Sequence, residues 1–335
     1  MSNTQTEQPV YGGQAVIEGV MMRGAKAFSV AVRNPRNEII IHTEPLNQQI
    51  YDSVISRTPF LRGMTLLWDA LGLGTKSLMF SAEIAEEEPD PADENAQETA
   101  EPAPKKDPSD IFKQPAMIGT ILLSLSLSLG LFMALPAFIA GLIISSQEAN
   151  LVSNLVEGAV RLILVIGYIW AIGLMAEIQR VYQYHGAEHK TINAYEAGAE
   201  LTPESVAKFP LEHPRCGTGF LLTVVIISIL LFSLFPPMSL LVRILSRILL
   251  IPVVAGIAYE FLRFTAKRQD RPFIRFITKP NLALQKLTTR EPDLEMLEVA
   301  IAAFKQVRAF DLEGVASENV TKKEQAPAAV ISADL

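Results

Sequence analysis

The residues best suited to chemistry lie in one short stretch, Tyr184 to Lys190, which contains His185, Glu188 and His189. In a helix, side chains three and four positions apart project from one face, so these three would lie together. Two imidazoles at this spacing can bind one divalent cation, and a carboxylate beside them can act as a ligand or a base. The alternative is a pair of helical histidines that face solvent or lipid headgroups.

Further candidate ligands follow this stretch along the chain. Three of the four histidines and the only cysteine lie within residues 185–216. Glu196 lies two helical turns beyond the second histidine and shares its face. His213 and Cys216 are three positions apart and form a second candidate pair, although Cys216 also fits as a small apolar residue at a tight helix start. Glu260 lies near the predicted depth of the histidine motif, at the inner end of an apolar stretch.

These residue types favour zinc and hydrolysis. Zinc suits imidazole and carboxylate ligands, and an open fourth position would activate water. The order His-x-x-Glu-His also occurs in inverted zinc peptidases. In this hypothesis Glu188 is the catalytic base or a further ligand. The candidate metal ligands are His185, His189, Glu196, His213 and Glu260.

The composition indicates a membrane protein with one acidic segment. Of the 335 residues, 49% are hydrophobic, and the mean hydropathy of +0.26 is high for a soluble protein of this length. Residues 83–110 carry eleven Asp or Glu and two Lys, so the rest of the chain has a net charge of +2 instead of -7. Without a basic surface or an aromatic-basic platform, we expect no nucleic-acid partner. A single cysteine excludes an internal disulfide.

Four apolar stretches are long enough to cross a hydrocarbon core of about 30 Å. They are residues 117–145, 156–176, 217–235 and 239–259. The sequence therefore predicts a mainly α fold, with a transmembrane bundle of about four helices at 116–267. After the second stretch, the helix is predicted to continue unbroken to Ala197 and to stop at Gly198.

The distribution of Lys and Arg predicts the orientation of this bundle. The loops at 146–155 and 236–238 contain neither residue, whereas the opposite side of the bundle is rich in both. Because cytoplasmic loops carry the excess of positive charge, both termini and residues 180–216 should face the cytoplasm. We therefore expect a multi-pass protein of the bacterial inner membrane, with the lipid bilayer as its partner.

Four charged residues fall inside the predicted spans. Glu157 and Arg161 share one helix face, and Arg243 and Arg247 share another. Charges at this depth tend to face the interior of a bundle and to be functional, so we predict a Glu–Arg cluster between the second and fourth spans. The alternative is that the side chains extend to the outer interface from the helix ends.

The N-terminal segment, 1–82, is predicted to be a small cytoplasmic α+β region. Glu18 lies in a glycine-flanked apolar segment at 12–24, which predicts a strand. Two Val- and Ile-rich runs around Asn34-Pro35-Arg36-Asn37 predict a β-hairpin, with His42 as an exposed strand residue. A helix over 60–82 carries an apolar stripe that could pack on the hairpin or lie on the bilayer surface. Its members are Leu61, Met64, Leu67, Trp68, Leu71 and Leu78.

The remaining segments are a linker and a C-terminal region. Residues 83–115 and 314–335 lack an apolar period, and we predict that both are disordered. Residues 268–313 should form cytoplasmic helices, the first beginning at Pro280-Asn281. The last should be amphipathic over Leu294–Phe310 and follow a turn at 288–293. Its predicted inward residues are Met296, Leu297, Val299, Ala300 and Phe304.

Five segments together resemble the YqhQ-like family of bacterial membrane proteins, which are labelled as predicted metal-dependent enzymes of unknown function. The segments are residues 12–24, 184–198, 213–220, 258–264 and 287–304. The resemblance spans nearly the whole chain and implies a membrane location and a metal. It implies no substrate, and the acidic linker departs from the family's pattern.

Two functions are consistent with these features. The first is a metal-dependent enzyme at the cytoplasmic membrane face. The second is a non-enzymatic membrane scaffold, assembly factor or small transporter that uses the Glu–Arg cluster. In that case the histidine face would bind a protein partner or a second copy of the chain. Metal content would distinguish the two.

Overall fold

The computed structural model describes residues 11–86, 115–144, 150–236, 238–313 and 329–331, which are mainly helical with one antiparallel sheet. The strands of the sheet lie side by side in chain order. They are β1 (Gly12–Val16), β2 (Gly19–Arg23), β3 (Ala27–Arg33), β4 (Ile39–Pro45) and β5 (Ala329–Ile331). The predicted hairpin is confirmed as β3 and β4. The single strand predicted over 12–24 is wrong, because that segment forms two strands.

The β1–β2 turn and the β3–β4 turn each contain a polar residue in the left-handed region. Glu18, with φ of 49°, follows Ile17 in the two-residue turn that pairs Val16 with Gly19. Asn37, with φ of 66°, closes the predicted turn between β3 and β4. Asparagine is among the few residues that adopt this conformation readily, which explains the turn signal in the sequence.

Four helices and one π-helical segment follow the sheet, and they correct the predicted helix over 60–82. They are α1 (Gln48–Tyr51), α2 (Val54–Arg57), α3 (Gly63–Trp68), a π-helical segment (Asp69–Leu73) and α4 (Gly74–Ala85). The helix begins later than predicted, because Phe60 has a φ of 66° and is not helical. Leu73, Phe80 and Ile84 pack against one face of the sheet.

The predicted apolar stripe does not supply this packing. Its side chains Leu61, Met64, Trp68, Leu71 and Leu78 are between 40% and 63% exposed. The prediction that this stripe packs in the core is therefore wrong. α3 instead packs on the later apolar helix that contains Gly256, where Gly63 and Gly256 allow the two backbones to approach closely.

Two long apolar helices come next. α5 (Pro115–Leu129), a π-helical segment (Gly130–Ala134) and α6 (Leu135–Ile143) form the first, and α7 (Asn150–Ile172) is the second. Over Leu122–Ile143 and Leu151–Ile172 they are long and apolar enough to cross a membrane. Pro136 lacks the N–H that would reach the Phe132 carbonyl in an α-helix, which accounts for the π-helical segment before it.

α8 (Ala176–Glu196) and the short α9 (Pro203–Val206) follow. The prediction of one unbroken helix through this region is wrong, because the chain turns at residues 173–175 and Met175 is extended. A Cβ at Gly173 would lie 3.0 Å from the Tyr182 ring, so glycine lets the turn pack closely against α8. Gly198, with φ of 71°, ends the helix as predicted.

The apolar part continues with α10 (Gly217–Ser233), α11 (Leu240–Leu249) and α12 (Ile251–Ala266). The predicted fourth span is broken, since α11 and α12 meet at a bend of 46° beside Pro252. Within the described residues, two helices can therefore cross a membrane, or three if the bent pair is one span. α10 has 17 residues and is shorter than a full span. A bundle is plausible, but with fewer long helices than the four predicted.

The last helices are α13 (Pro272–Thr288) and α14 (Leu294–Glu313). α13 begins eight residues before the predicted start at Pro280, which lies inside the helix. The turn before α14 is confirmed, because Asp293 Oδ1 accepts a hydrogen bond of 2.8 Å from the Met296 N–H. All five predicted inward residues of α14 are buried.

The main core lies between the sheet, α8 and α14. Met22 of the sheet, Tyr184 of α8 and Phe304 of α14 are among its largest fully buried side chains. The sheet is thus covered on both faces, by α4 on one and by α8 with α14 on the other. The predicted linker and tail lie largely outside the described residues. The exceptions are 83–86 at the end of α4, Pro115 at the start of α5, and β5, which pairs with β4.

Candidate metal centre

The histidine motif lies in the buried half of α8. The ring centroids of His185 and His189 are 4.4 Å apart, as expected for side chains one helical turn apart. His189 and Glu188 are buried, and His185 is half-buried. Burial excludes the alternative in which these histidines face solvent.

Backbone carbonyls from two other segments hold the two imidazoles. His185 Nδ1 lies 2.8 Å from the Thr288 carbonyl at the end of α13, and His189 Nδ1 lies 2.5 Å from the Leu211 carbonyl. A carbonyl only accepts hydrogen bonds, so each Nδ1 must carry the proton in these contacts. Each Nε2 then presents a lone pair, which is the arrangement that metal-binding histidines adopt. His189 Nε2 is buried and has no hydrogen-bond partner within the described part of the chain.

Cys216 completes a group of three potential ligands. Its Sγ lies 3.2 Å from His185 Nε2, and one ligand atom each of His185, His189 and Cys216 lies within 4.8 Å of the others. Cys216 is the N-cap of α10, and its Sγ accepts a hydrogen bond from the Thr218 N–H at 3.4 Å. This group could therefore hold a metal ion.

Glu188 lies beside the three ligands. Its Oε2 is 3.9 Å from His185 Nε2. Burial raises the pKa of the Glu188 carboxyl, and the nearby His185 and His213 and a hydrogen bond from the Gly13 N–H oppose part of this effect. A Cβ at Gly13 would lie 2.8 Å from Glu188 Cγ, so a larger residue would displace the carboxylate. Gly13 lies in the glycine-flanked segment, but its role could not be predicted without knowing that β1 packs on α8.

His213 lies at the edge of this group. Its ring centroid is 5.7 Å from that of His189, and its Nε2 is buried without a hydrogen-bond partner among the described residues. Burial lowers the pKa of His213 and of His189, so both rings are neutral at pH 7. Gln285 fixes the His213 backbone, donating to its carbonyl at 2.9 Å and accepting from its N–H at 3.0 Å. No spacing rule pointed to Gln285.

Two of the predicted ligands are bound elsewhere. Glu196 forms an ion pair with Arg215, and its Oε2 is 3.8 Å from His213 Nε2. Glu260 accepts two hydrogen bonds from Arg62, at 2.6 and 2.5 Å, and is absent from the group of potential ligands. The structure therefore does not bring Glu260 to the histidines. Its carboxylate is used to hold α3 against α12, a tertiary contact that its position in the sequence does not reveal.

Glu18 links the sheet to the start of α8. Its carboxylate accepts hydrogen bonds of 2.5 Å from both Nε and one terminal nitrogen of Arg180, and Tyr184 Oη lies 3.4 Å away. The contact places the β1–β2 turn against the helix that carries the histidines. Glu18 is not among the potential metal ligands.

Lys190 shapes the connector that follows α8. Its Nζ donates to the carbonyls of Ala207 and Phe209 and forms an ion pair with Glu291. The connector in turn supplies the Leu211 carbonyl that holds His189. A cleft of about 330 Å³ opens at this place. It is lined by Lys190, Phe209, Leu211, Lys286, Thr289 and Glu291.

The four charged residues predicted within the spans lie together, apart from the histidines. The Glu157 carboxylate is 2.7 Å from Arg161, 3.5 Å from Arg243 and 3.7 Å from Arg247. All but Arg243 are almost fully buried. Glu157, Arg161 and Arg247 are turned into the protein and do not extend to an interface, whereas Arg243 stays partly exposed.

Comparisons with known proteins identify relatives of the chain but no activity. Residues 58–309 match the family described as "Protein of unknown function (DUF1385)". The chain is 37% identical over 312 residues to the uncharacterized protein YqhQ of Bacillus subtilis (strain 168). The aligned region covers 93% of this chain and 95% of that protein. No solved structure matches the chain. The resemblance drawn from the five sequence segments is confirmed.

Proposed function

Since the chain belongs to DUF1385, a family of unknown function that includes proteins similar to YqhQ, we propose a function from the geometry of its own residues. We propose that it is a zinc-binding protein of the bacterial inner membrane and a metal-dependent hydrolase. The metal site would lie at the cytoplasmic membrane face.

One observation carries this proposal: the arrangement of His185, His189 and Cys216. Two histidines hold their Nδ1 atoms against carbonyls, His185 turns its Nε2 toward the Cys216 thiol, and one ligand atom of each of the three residues lies within 4.8 Å of the others. A buried imidazole nitrogen without a partner is costly, so the bare arrangement favours a bound group at His189. Two nitrogens and one sulfur are a ligand set that zinc binds in proteins.

The reaction class follows from the number of ligands and from Glu188. Three protein ligands leave a fourth position for water, and zinc lowers the pKa of bound water to about 7. Glu188 is close enough to the ligands to accept a proton near that position. Burial raises the pKa of the Glu188 carboxyl, which makes its carboxylate a stronger base.

Replacing Glu188 with glutamine separates a base from a ligand. Glutamine keeps the shape of the side chain and can still accept the hydrogen bond from Gly13. We expect Glu188→Gln to retain its zinc but to lose hydrolysis of chromogenic ester or phosphodiester probes by about 10²- to 10⁴-fold. Zinc is measured by elemental analysis and hydrolysis by absorbance.

The matched control is Glu200→Gln, an exposed carboxylate shortly after α8. It should change neither zinc content nor rate. Zinc loss in Glu188→Gln would identify Glu188 as a ligand. Hydrolysis of the probes that is unaffected by Glu188→Gln would contradict the assigned role of this residue.

The orientation of the site rests on the charge distribution of the loops. In the full chain, a cysteine introduced at Ser146 should react with a membrane-impermeant maleimide from outside the cell. One introduced at Glu200 should react only after the membrane is opened. The native Cys216 is buried and should contribute little background. Labelling of Glu200→Cys, but not of Ser146→Cys, in intact cells would overturn the proposed orientation.

The second candidate, a non-enzymatic membrane scaffold, assembly factor or transporter, is favoured by a different observation. Glu157 and three arginines are gathered between α7 and α11, where charge is expensive to bury. A scaffold would bind a protein partner or a second copy of the chain. In this reading, zinc removal leaves the protein's activity in the cell unchanged, whereas Arg243→Gln abolishes it.

A further inference from the structure

Three guanidinium groups surround a single carboxylate between α7 and α11. Glu157 and Arg161 lie one turn apart on α7, and Arg243 and Arg247 lie one turn apart on α11. When all four are ionised, the cluster carries a net charge of +2. The Asn154 side chain is neutral and accepts a hydrogen bond of 3.2 Å from Arg247.

Two of the arginines are held rigidly by neutral groups. Arg161 Nε donates to the Phe132 carbonyl at 3.0 Å, the carbonyl that Pro136 leaves without its α-helical partner. Arg247 stacks on the Phe232 ring, with its Cζ 4.1 Å from the ring centroid. These contacts orient the guanidinium groups but do not neutralise them.

The cluster is incompletely satisfied. Arg247 Nε and Glu157 Oε2 are buried and have no hydrogen-bond partner within the described residues. Arg243 approaches Glu157 only to 3.5 Å and remains 18% exposed. Buried charges are stable only when they are paired and hydrogen-bonded, so among the described residues the cluster has too little negative charge and too few acceptors.

Exposed apolar side chains surround this excess positive charge. Leu241, Val242, Leu245 and Leu249, on the other faces of α11, are more than half exposed. α11 bends away from the apolar helix α12 by 46°. An apolar outer face with charged side chains on the inner face is typical of helices at a membrane interface, where phosphate groups are abundant.

We propose that Arg161, Arg243 and Arg247, with Glu157 between them, form a binding site for a phosphate anion. Guanidinium groups bind phosphate oxygens through paired, charge-assisted hydrogen bonds. A phosphodiester would remove half of the excess charge, and a phosphate dianion would remove all of it. The phosphate can come from the headgroup of an anionic phospholipid or from inorganic phosphate, and Arg243 is the side chain open to either.

The test uses full-length protein in a neutral detergent. Binding of short-chain phosphatidylglycerol, short-chain phosphatidylcholine and inorganic phosphate is measured by calorimetric titration. We expect saturable binding of phosphatidylglycerol, of inorganic phosphate or of both. Phosphatidylglycerol alone would identify a lipid headgroup as the source, and binding of inorganic phosphate would identify a site for the free anion.

Two variants assign the binding to this cluster. Arg243→Gln should weaken binding by about tenfold or more, since it removes a charged hydrogen-bond donor. Glu157→Gln removes the competing carboxylate and should strengthen binding. Arg36→Gln, which removes an exposed arginine from the β3–β4 turn, is the matched control and should bind like the wild type.

Circular dichroism and thermal unfolding check that Arg243→Gln is folded. A native fold with weakened phosphate binding would support the proposal. The proposal is overturned if none of the three probes binds, or if neither Arg243→Gln nor Glu157→Gln alters binding. Equal affinity for phosphatidylcholine and phosphatidylglycerol would also overturn it, because a cluster with a net charge of +2 must prefer the anionic lipid.

Discussion

Replacement of either His185 or His189 by alanine should reduce bound zinc from about one ion per chain to near zero. Each histidine supplies one of three ligand atoms that lie within 4.8 Å of one another. Two remaining ligands rarely hold a divalent ion tightly. Cys216→Ser should have a similar effect, because a serine hydroxyl is a poor substitute for a thiolate. Elemental analysis of purified protein measures the loss, and circular dichroism verifies the fold.

His42→Ala is the control for these variants. His42 lies on β4, where it contacts Glu44 at 2.6 Å and the Phe80 ring, and it should not affect zinc. His213→Ala tests whether the nearby unpartnered imidazole is a fourth ligand, in which case zinc would fall. Wild-type zinc in a His185→Ala, His189→Ala double variant would refute the proposed site and favour a partner-binding protein.

Gly186→Ala should damage both stability and metal binding. A Cβ at this position would overlap the Arg290 carbonyl oxygen and lie 2.8 Å from Leu211 Cδ2. Overpacking of this kind costs about 1–3 kcal/mol. It would also displace the carbonyls of Leu211 and Thr288 that orient the histidines, which should weaken zinc binding by about 10- to 100-fold. Chemical denaturation and competition with a chelator measure the two effects.

Gly141→Ala is the matched control, since it also adds a methyl group to a helical glycine. No atom of the described structure lies within 4 Å of a Cβ at Gly141. Its stability should change by less than about 1 kcal/mol, and its zinc affinity should not change. Equal effects of the two substitutions would show that the close approach of Arg290 to α8 does not matter.

Local periodicity in the sequence was sufficient to predict the features that depend on a single helix or turn. The spacing of His185, Glu188 and His189 correctly grouped three side chains, because one helical turn brings such positions together. The buried stripe of α14 and its start at Asp293 were predicted for the same reason. The turn that ends with Asn37 was equally local.

Features that depend on contacts between helices or strands could not be predicted from local periodicity. From the sequence alone, Cys216 could equally be an apolar residue at a helix start or a ligand beside the histidines. Only the packing of α10 against α8 brings its sulfur to His185. Glu260 had a suitable depth, but Arg62 binds it from the turn before α3, 198 residues earlier. The exposed stripe around Trp68 has the periodicity of a core-packing helix, and periodicity alone cannot identify the environment that a face meets.

The connection between the histidines and distant carbonyls also constrains the order of events during synthesis. α8 leaves the ribosome long before Thr288, whose carbonyl orients His185. One face of the sheet likewise stays uncovered until α14 has been synthesised. A nascent chain that ends before residue 288 therefore contains both histidines but not the complete site. Metal capture should follow completion of the polypeptide, so the site would be filled only in chains that have been made to their C-terminal helices.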